Sequence, residues 1–131
     1  MERLRERLLI ARRALATLAE VLVEPRTPIT RDASIKRFEY TYETVWKAAQ
    51  AYFAVVENLD LASPTATTRA CFRAAILTED EARDALRMAQ DRNLTVHTYQ
   101  EALADEIRDR LPGHALLMAK WLDAIEQRLS A

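Results

Sequence analysis

One glycine, Gly113, serves a chain of 131 residues, where average usage would supply about nine. Phosphate-cradling loops of the GxGxxG or GxxxxGK type use several glycines so that backbone can approach the phosphates. A GxSxG nucleophile elbow needs two. None of these can be written here. Hairpin turns with positive φ lack their usual residue as well, which argues against an all-β fold. In place of glycine the chain carries 23 Ala and 17 Leu, both strong helix formers. The length suits one domain, residues 1–131, able to bury a core without metal or disulfide staples.

Charge narrows the function classes. Nineteen basic residues face 20 acidic ones, a net charge of −1. No global field draws such a protein to nucleic acid or membrane, so any such contact is a local patch. Sixteen of the 19 bases are Arg, whose fork suits phosphate and carboxylate. The lone Cys71 cannot form an internal disulfide, which fits a reducing cytoplasm. Its neighbours Ala70, Phe72, Ala74 and Ala75 mark it as a buried small hydrophobe. The opening MERLRERLLIARRAL is charged throughout and has no signal-peptide core. No segment reads as a membrane span.

Helical periodicity recurs along the chain. Leu4, Leu8, Ala11, Leu15, Leu18 and Leu22 form one apolar stripe, predicting a helix over 2–24 that ends at Pro25 and Pro28. A second helix is expected from Asp32 to Leu59. Its core face is Ile35, Phe38, Tyr42, Val45, Ala49, Phe53 and Val56, flanked by Trp46 and Tyr52. Ser63-Pro64 starts a short helix to Leu77, and Thr78 caps another that reaches Asn93. LTVHTY reads as a break or tight bend. A helix over 98–111 follows, ended by Pro112-Gly113, and a last one over 114–129 buries Leu117, Met118, Trp121, Leu122 and Ile125. The expected architecture is all-α: an antiparallel up-and-down bundle of four main helices plus short ones.

The chemistry centres on few residues. His114, just after Pro-Gly, reads as an exposed capping-region residue. Arg92, Asn93, His97 and Tyr99 crowd into eight residues. They support two readings. One is a polar junction in which Asn93 caps the helix before it and Thr95 the helix after it. The other is an acid/base histidine beside a fixed cation. RNA cleavage by its own 2′-hydroxyl needs proton transfer and a stabilised phosphorane, and His plus Arg supply both. On one continuous helix residues i and i+5 lie about 140° apart, so this site needs a bend or a second copy of the chain. Metal motifs are absent: one Cys and two His are too few soft ligands for structural zinc, and no cofactor is expected. Asp80 with Asp84, and Asp105 with Asp109, read as solvated faces. Glu39, Glu43 and Lys47 read as surface ion pairing. Arg3, Arg5, Arg7, Arg12 and Arg13 read as a solvated face that could line a phosphate groove.

Two long blocks carry a resemblance. KRFEYTYETVWKAAQ resembles the R-F-E-F/Y-T-F/Y-E-x-x-W-K signature of the nucleotidyltransferase substrate-binding protein family. DRNLTVHTYQEALADEI resembles the same family's R-N-x-x-x-H-x-Y segment. That family lies in the HEPN superfamily and includes HepT toxins. The resemblance spans nearly the whole chain, with Gln100 standing where relatives often carry an acid. It implies a HEPN-like bundle that pairs into a homodimer, with the motifs of two subunits meeting at one cleft. It further implies a metal-independent ribonuclease in which Arg92 stabilises phosphate, His97 is the acid/base and Asn93 supports them. Tyr99 matches the tyrosine that a minimal nucleotidyltransferase antitoxin modifies with AMP. The alternative it leaves open is a non-catalytic subunit that holds a substrate for a separate transferase.

Overall fold

The computed structural model describes residues 1–130. Five α-helices and one short 3₁₀ turn account for the order: α1 Glu2–Leu22, α2 Pro28–Val56, α3 Pro64–Arg73, α4 Glu79–Leu94, the turn Thr95–His97, and α5 Glu101–Ser130. The all-α bundle expected from the periodicity is the observed fold, with α1, α2, α4 and α5 as its main helices.

Cross-helix contacts fix the directions. Thr17 meets Tyr40 and Glu20 meets Arg37, so α1 and α2 run antiparallel. Arg12 reaches Asp123 and Glu126 while Arg108 reaches the Leu22 carbonyl, so α1 also opposes α5. Asp91 pairs with Arg110 and His114 across the short turn, which makes α4 and α5 a third antiparallel pair. The shared core includes Leu4, Leu18, Phe38, Tyr42, Phe53 and Trp121. Each such side chain contributes about 1.5–3 kcal/mol on burial. Cys71 is wholly buried, as its neighbours implied, and accepts a hydrogen bond from Trp121 Nε1 at 3.3 Å. Burial pushes its thiol up to about 12, against the opposing effect of Trp121 and Arg128.

Local chemistry sets the helix starts. The Thr30 N–H donates to Thr27 Oγ1 at 3.1 Å and the Thr27 N–H to Thr30 Oγ1 at 2.8 Å, and Pro28 takes the first helical position. Helix α2 therefore begins at Pro28, four residues before the expected Asp32. Ser63 accepts from the Ala66 N–H, and Thr78 and Glu81 form the reciprocal cap the sequence suggests.

Two helix ends depart from expectation. Helix α3 stops at Arg73 instead of Leu77, in a turn where Ala75 adopts φ 59°. The Ala75 N–H returns to Phe72 and the Ile76 N–H to Cys71, so a left-handed alanine fills the place glycine usually takes. Asn58, at φ 51°, closes α2 in the same region of backbone space. The larger difference is at Pro112-Gly113, which interrupts nothing: α5 runs for 30 residues straight through it. Proline removes one donor and strains the turn before it, at about 3 kcal/mol. Burial of Ile107, Leu111, Leu117, Met118, Trp121, Leu122 and Ile125 on one continuous stripe outweighs that. Gly113 has no positive φ and so caps nothing.

Candidate functional site

The last turn of α4 carries Asp91, Arg92 and Asn93 before the helix ends at Leu94, and successive helical residues diverge by about 100°. Arg92 turns toward α2. Its Nε lies 3.4 Å from Glu43 Oε1 and its Nη1 lies 3.8 Å from Glu39 Oε2. Nη1 also donates to Thr95 Oγ1 at 3.2 Å. Glu43 is itself held, because Trp46 Nε1 donates to its Oε2 at 3.2 Å. The surface pairing expected among Glu39, Glu43 and Lys47 is thus replaced by a convergence of both acids on Arg92. Two groups sit imperfectly satisfied on this side: Arg92 Nε and the Tyr42 hydroxyl are buried with no hydrogen-bond partner. Burial raises the Tyr42 phenol well above its ordinary value, with Glu43 adding and Arg92 opposing, so it stays protonated.

The bend follows at once. Thr95 Oγ1 donates to the Arg92 carbonyl at 2.7 Å, and Thr98 Oγ1 to the Thr95 carbonyl at 2.8 Å. Thr95 therefore caps backward onto α4 and does not cap α5, while Asn93 lies inside α4 and exposed. The single 3₁₀ turn swings His97 and Tyr99 outward. Their rings meet edge to face at 6.2 Å. Tyr99 is 77% exposed, beside exposed Val96 and Leu94. No hydrogen bond or ion pair among the described residues joins Arg92 to His97.

Asp91 faces the other way, into the bundle. Arg110 Nε and Nη2 grip its two oxygens at 2.8 Å each. His114 Nε2 lies 2.7 Å from Oδ2, and its ring stacks on Phe38 at 5.4 Å. Burial alone would raise the Asp91 carboxyl; hydrogen bonds from Arg110 and His114 outweigh it and hold the carboxyl below its ordinary value. His114 is thus a buried packing residue, not the exposed capping residue expected, because α5 never breaks before it. The i, i+4 spacing of Arg110 and His114 was the available signal for this network, hidden by Pro112. A cleft of about 290 Å³ opens beside it, walled in part by Arg87 and Gly113.

The remaining charged groups are spread along the bundle. Arg12 pairs across to α5, and Arg26 with Asp105 and Asp109 ties the α1–α2 link to α5. Among the described residues, no cluster of three or more His, Cys, Asp or Glu side chains could hold a metal ion. No helix there is long and apolar enough to cross a membrane.

Comparison with known proteins assigns the family. The family model described as "Nucleotidyltransferase substrate binding protein like" matches residues 6–127. The chain belongs to that family. Both blocks that carry the resemblance fall inside the match. The crystal structure of a protein from Thermus thermophilus is similar at 49% identity with a TM-score of 0.85, covering 88% of this chain and 98% of that one. No functionally curated protein matches.

Proposed function

We propose that this family member acts in the cytoplasm with a separate minimal nucleotidyltransferase as a toxin–antitoxin pair, the chain itself being a metal-independent ribonuclease. The observation that supports this most is the turn 95–97. It exposes His97 and Tyr99 together, next to an Arg92 whose backbone is fixed. In this reading two protomers form a homodimer and their motifs share one cleft, which answers the missing contact between Arg92 and His97 within a chain. His97 takes the proton from an RNA 2′-hydroxyl as that oxygen attacks phosphorus. The bond to the 5′-oxygen breaks and the leaving oxygen takes a proton back from the His97 imidazolium, giving a 2′,3′-cyclic phosphate and a 5′-hydroxyl. Arg92 stabilises the phosphorane charge, and Asn93 supports the motif. The transferase silences the site by AMP transfer: the Tyr99 phenolic oxygen attacks the α-phosphorus of ATP, and pyrophosphate leaves. The added phosphate then occupies ground that RNA phosphate needs. The exposure of Tyr99 suits such an acceptor.

Purified protein incubated with RNA and EDTA tests this. Cleavage that persists in EDTA and disappears in His97→Ala supports the ribonuclease; absence of cleavage by unmodified protein overturns it. A second reading, a non-catalytic subunit presenting substrate to the transferase, draws on a specific observation: Arg92 is already engaged by two carboxylates.

A further inference from the structure

Arg92 carries one positive charge, yet Glu39 and Glu43 bring two negative charges to it. A phosphate fork needs two adjacent guanidinium donors on one edge. Here Nε is turned to Glu43, and Nη1 to Thr95 and Glu39. Each edge is therefore half engaged, while Nη2 has no partner among the described residues.

The two acids differ in how firmly they are held. Glu43 is fixed by the indole N–H of Trp46, itself only 8% exposed. Glu39 has no hydrogen bond of its own, and its charge contact is the longer one at 3.8 Å. The two acids lie at i and i+4 on one face of α2, and Trp46, three residues beyond Glu43, completes it.

We infer that Glu43 and Glu39 divide the handling of Arg92: Glu43 is a positioning residue that fixes the Nε end, and Glu39 is an electrostatic gate over the Nη1–Nη2 edge that a backbone phosphate of RNA must displace. This rests on the ribonuclease reading for its substrate. The gate sets the threshold for binding. A lone phosphate competes poorly with a carboxylate already in place, whereas a polyanion with several contacts displaces it. The arrangement thus favours an RNA strand over free phosphate or mononucleotides.

The experiment is a double-mutant cycle on binding of a 2′-O-methyl RNA oligonucleotide, which cannot undergo attack by its own 2′-oxygen, read by fluorescence anisotropy at low salt. Glu39→Gln should tighten binding about fivefold, the effect of removing one nearby like charge. In an Arg92→Ala background the same substitution should change affinity less than about twofold. Tightening of equal size in both backgrounds would mean only a general charge effect and would overturn the gate. In cleavage assays Glu39→Gln should lower KM with kcat kept. Glu43→Gln should lower kcat about tenfold with KM nearly unchanged, and Trp46→Phe should follow it more weakly. A Glu43→Gln enzyme with wild-type kcat overturns the positioning role. If the wild type cuts no RNA, the ribonuclease reading fails, while the anisotropy cycle still decides the gate. The ¹⁵N resonance of Arg92 Nε decides the positioning: it should be sharp in wild type and broadened in Glu43→Gln. An Nε signal unchanged by that substitution overturns it.

Discussion

Asp91 and Arg92 are consecutive residues of α4 with opposite surroundings. Asp91 is buried and fully matched: two donors from Arg110 and one nitrogen of His114 meet its two oxygens. Arg92 is part-exposed and mismatched: two carboxylates crowd one guanidinium, and its buried Nε lacks a properly aligned acceptor. A closed, satisfied network holds helices together and has nothing left to offer a ligand. An unbalanced one has residual bonding capacity, which is what a ligand can use. On the proposed function, the difference gives stability to the first residue and recognition to the second.

The strongest test of that contrast is Asp91→Asn. It leaves Arg110 and His114 without their anion and should lower stability by about 3 kcal/mol in urea denaturation, although Arg110 can turn partly to water. Acid should reveal the same group. The folded Asp91 carboxyl lies below its ordinary value. Its contribution is therefore present above the unfolded value of about 3.9 and lost as pH falls through the lower folded value. The variant should accordingly show a flatter fall of Tm between about pH 5 and pH 2 than wild type. On the other side, Arg92→Ala and His97→Ala should each lower RNA cleavage at least about 100-fold, while the unfolding free energy from urea denaturation changes by less than about 1 kcal/mol. A large loss of stability in either would erase the distinction. Gly113→Ala, in the α5 wall beside His114, should stabilise by about 0.5–1 kcal/mol. A Cβ at that position meets nothing within 4 Å. Smallest of all, Tyr99→Phe should leave stability within about 0.5 kcal/mol, yet mass spectrometry should find no AMP on it after incubation with the transferase and ATP. Equal modification of the phenylalanine variant would refute Tyr99 as the acceptor.

How much of this was readable in the chain depends on which physics decides each element. The stripes of α1 and α2, the caps at Ser63 and Thr78 and the burial of Cys71 follow from local spacing and composition; the exception is the end of α2, which stops at Val56 short of the expected Leu59, so that Val56 is exposed and leaves the expected core face. The family, too, was legible in two contiguous blocks. Pro112-Gly113 misled because a local signal for a helix end was overridden by a buried stripe on both sides of it, a tertiary effect. That error carried His114 with it: a residue just after a break reads as a cap, whereas the same residue one turn after Arg110 reads as its partner on a shared face. Arg92's company was half visible, since Glu39, Glu43 and Trp46 share a helical face. Nothing local could say that this face meets the end of α4. The use of Ala75 where glycine is customary was equally hidden, because a chain with one glycine closes its helices with whatever residue is present.

The tie between Asp91 and α5 also governs when order is acquired. Because that tie forms with the core, the backbone of Arg92 is already ordered before any ligand arrives, and little conformational entropy remains to be lost at encounter. Beyond the buried Thr95, His97 and Tyr99 are exposed and make no comparable tie to the core among the described residues. Amide hydrogen exchange should show the boundary directly: slow, globally limited exchange at Arg92, and fast exchange by local opening at Tyr99, only seven residues along. On the proposed function, that boundary would divide the recognition surface into a rigid heel and a mobile toe.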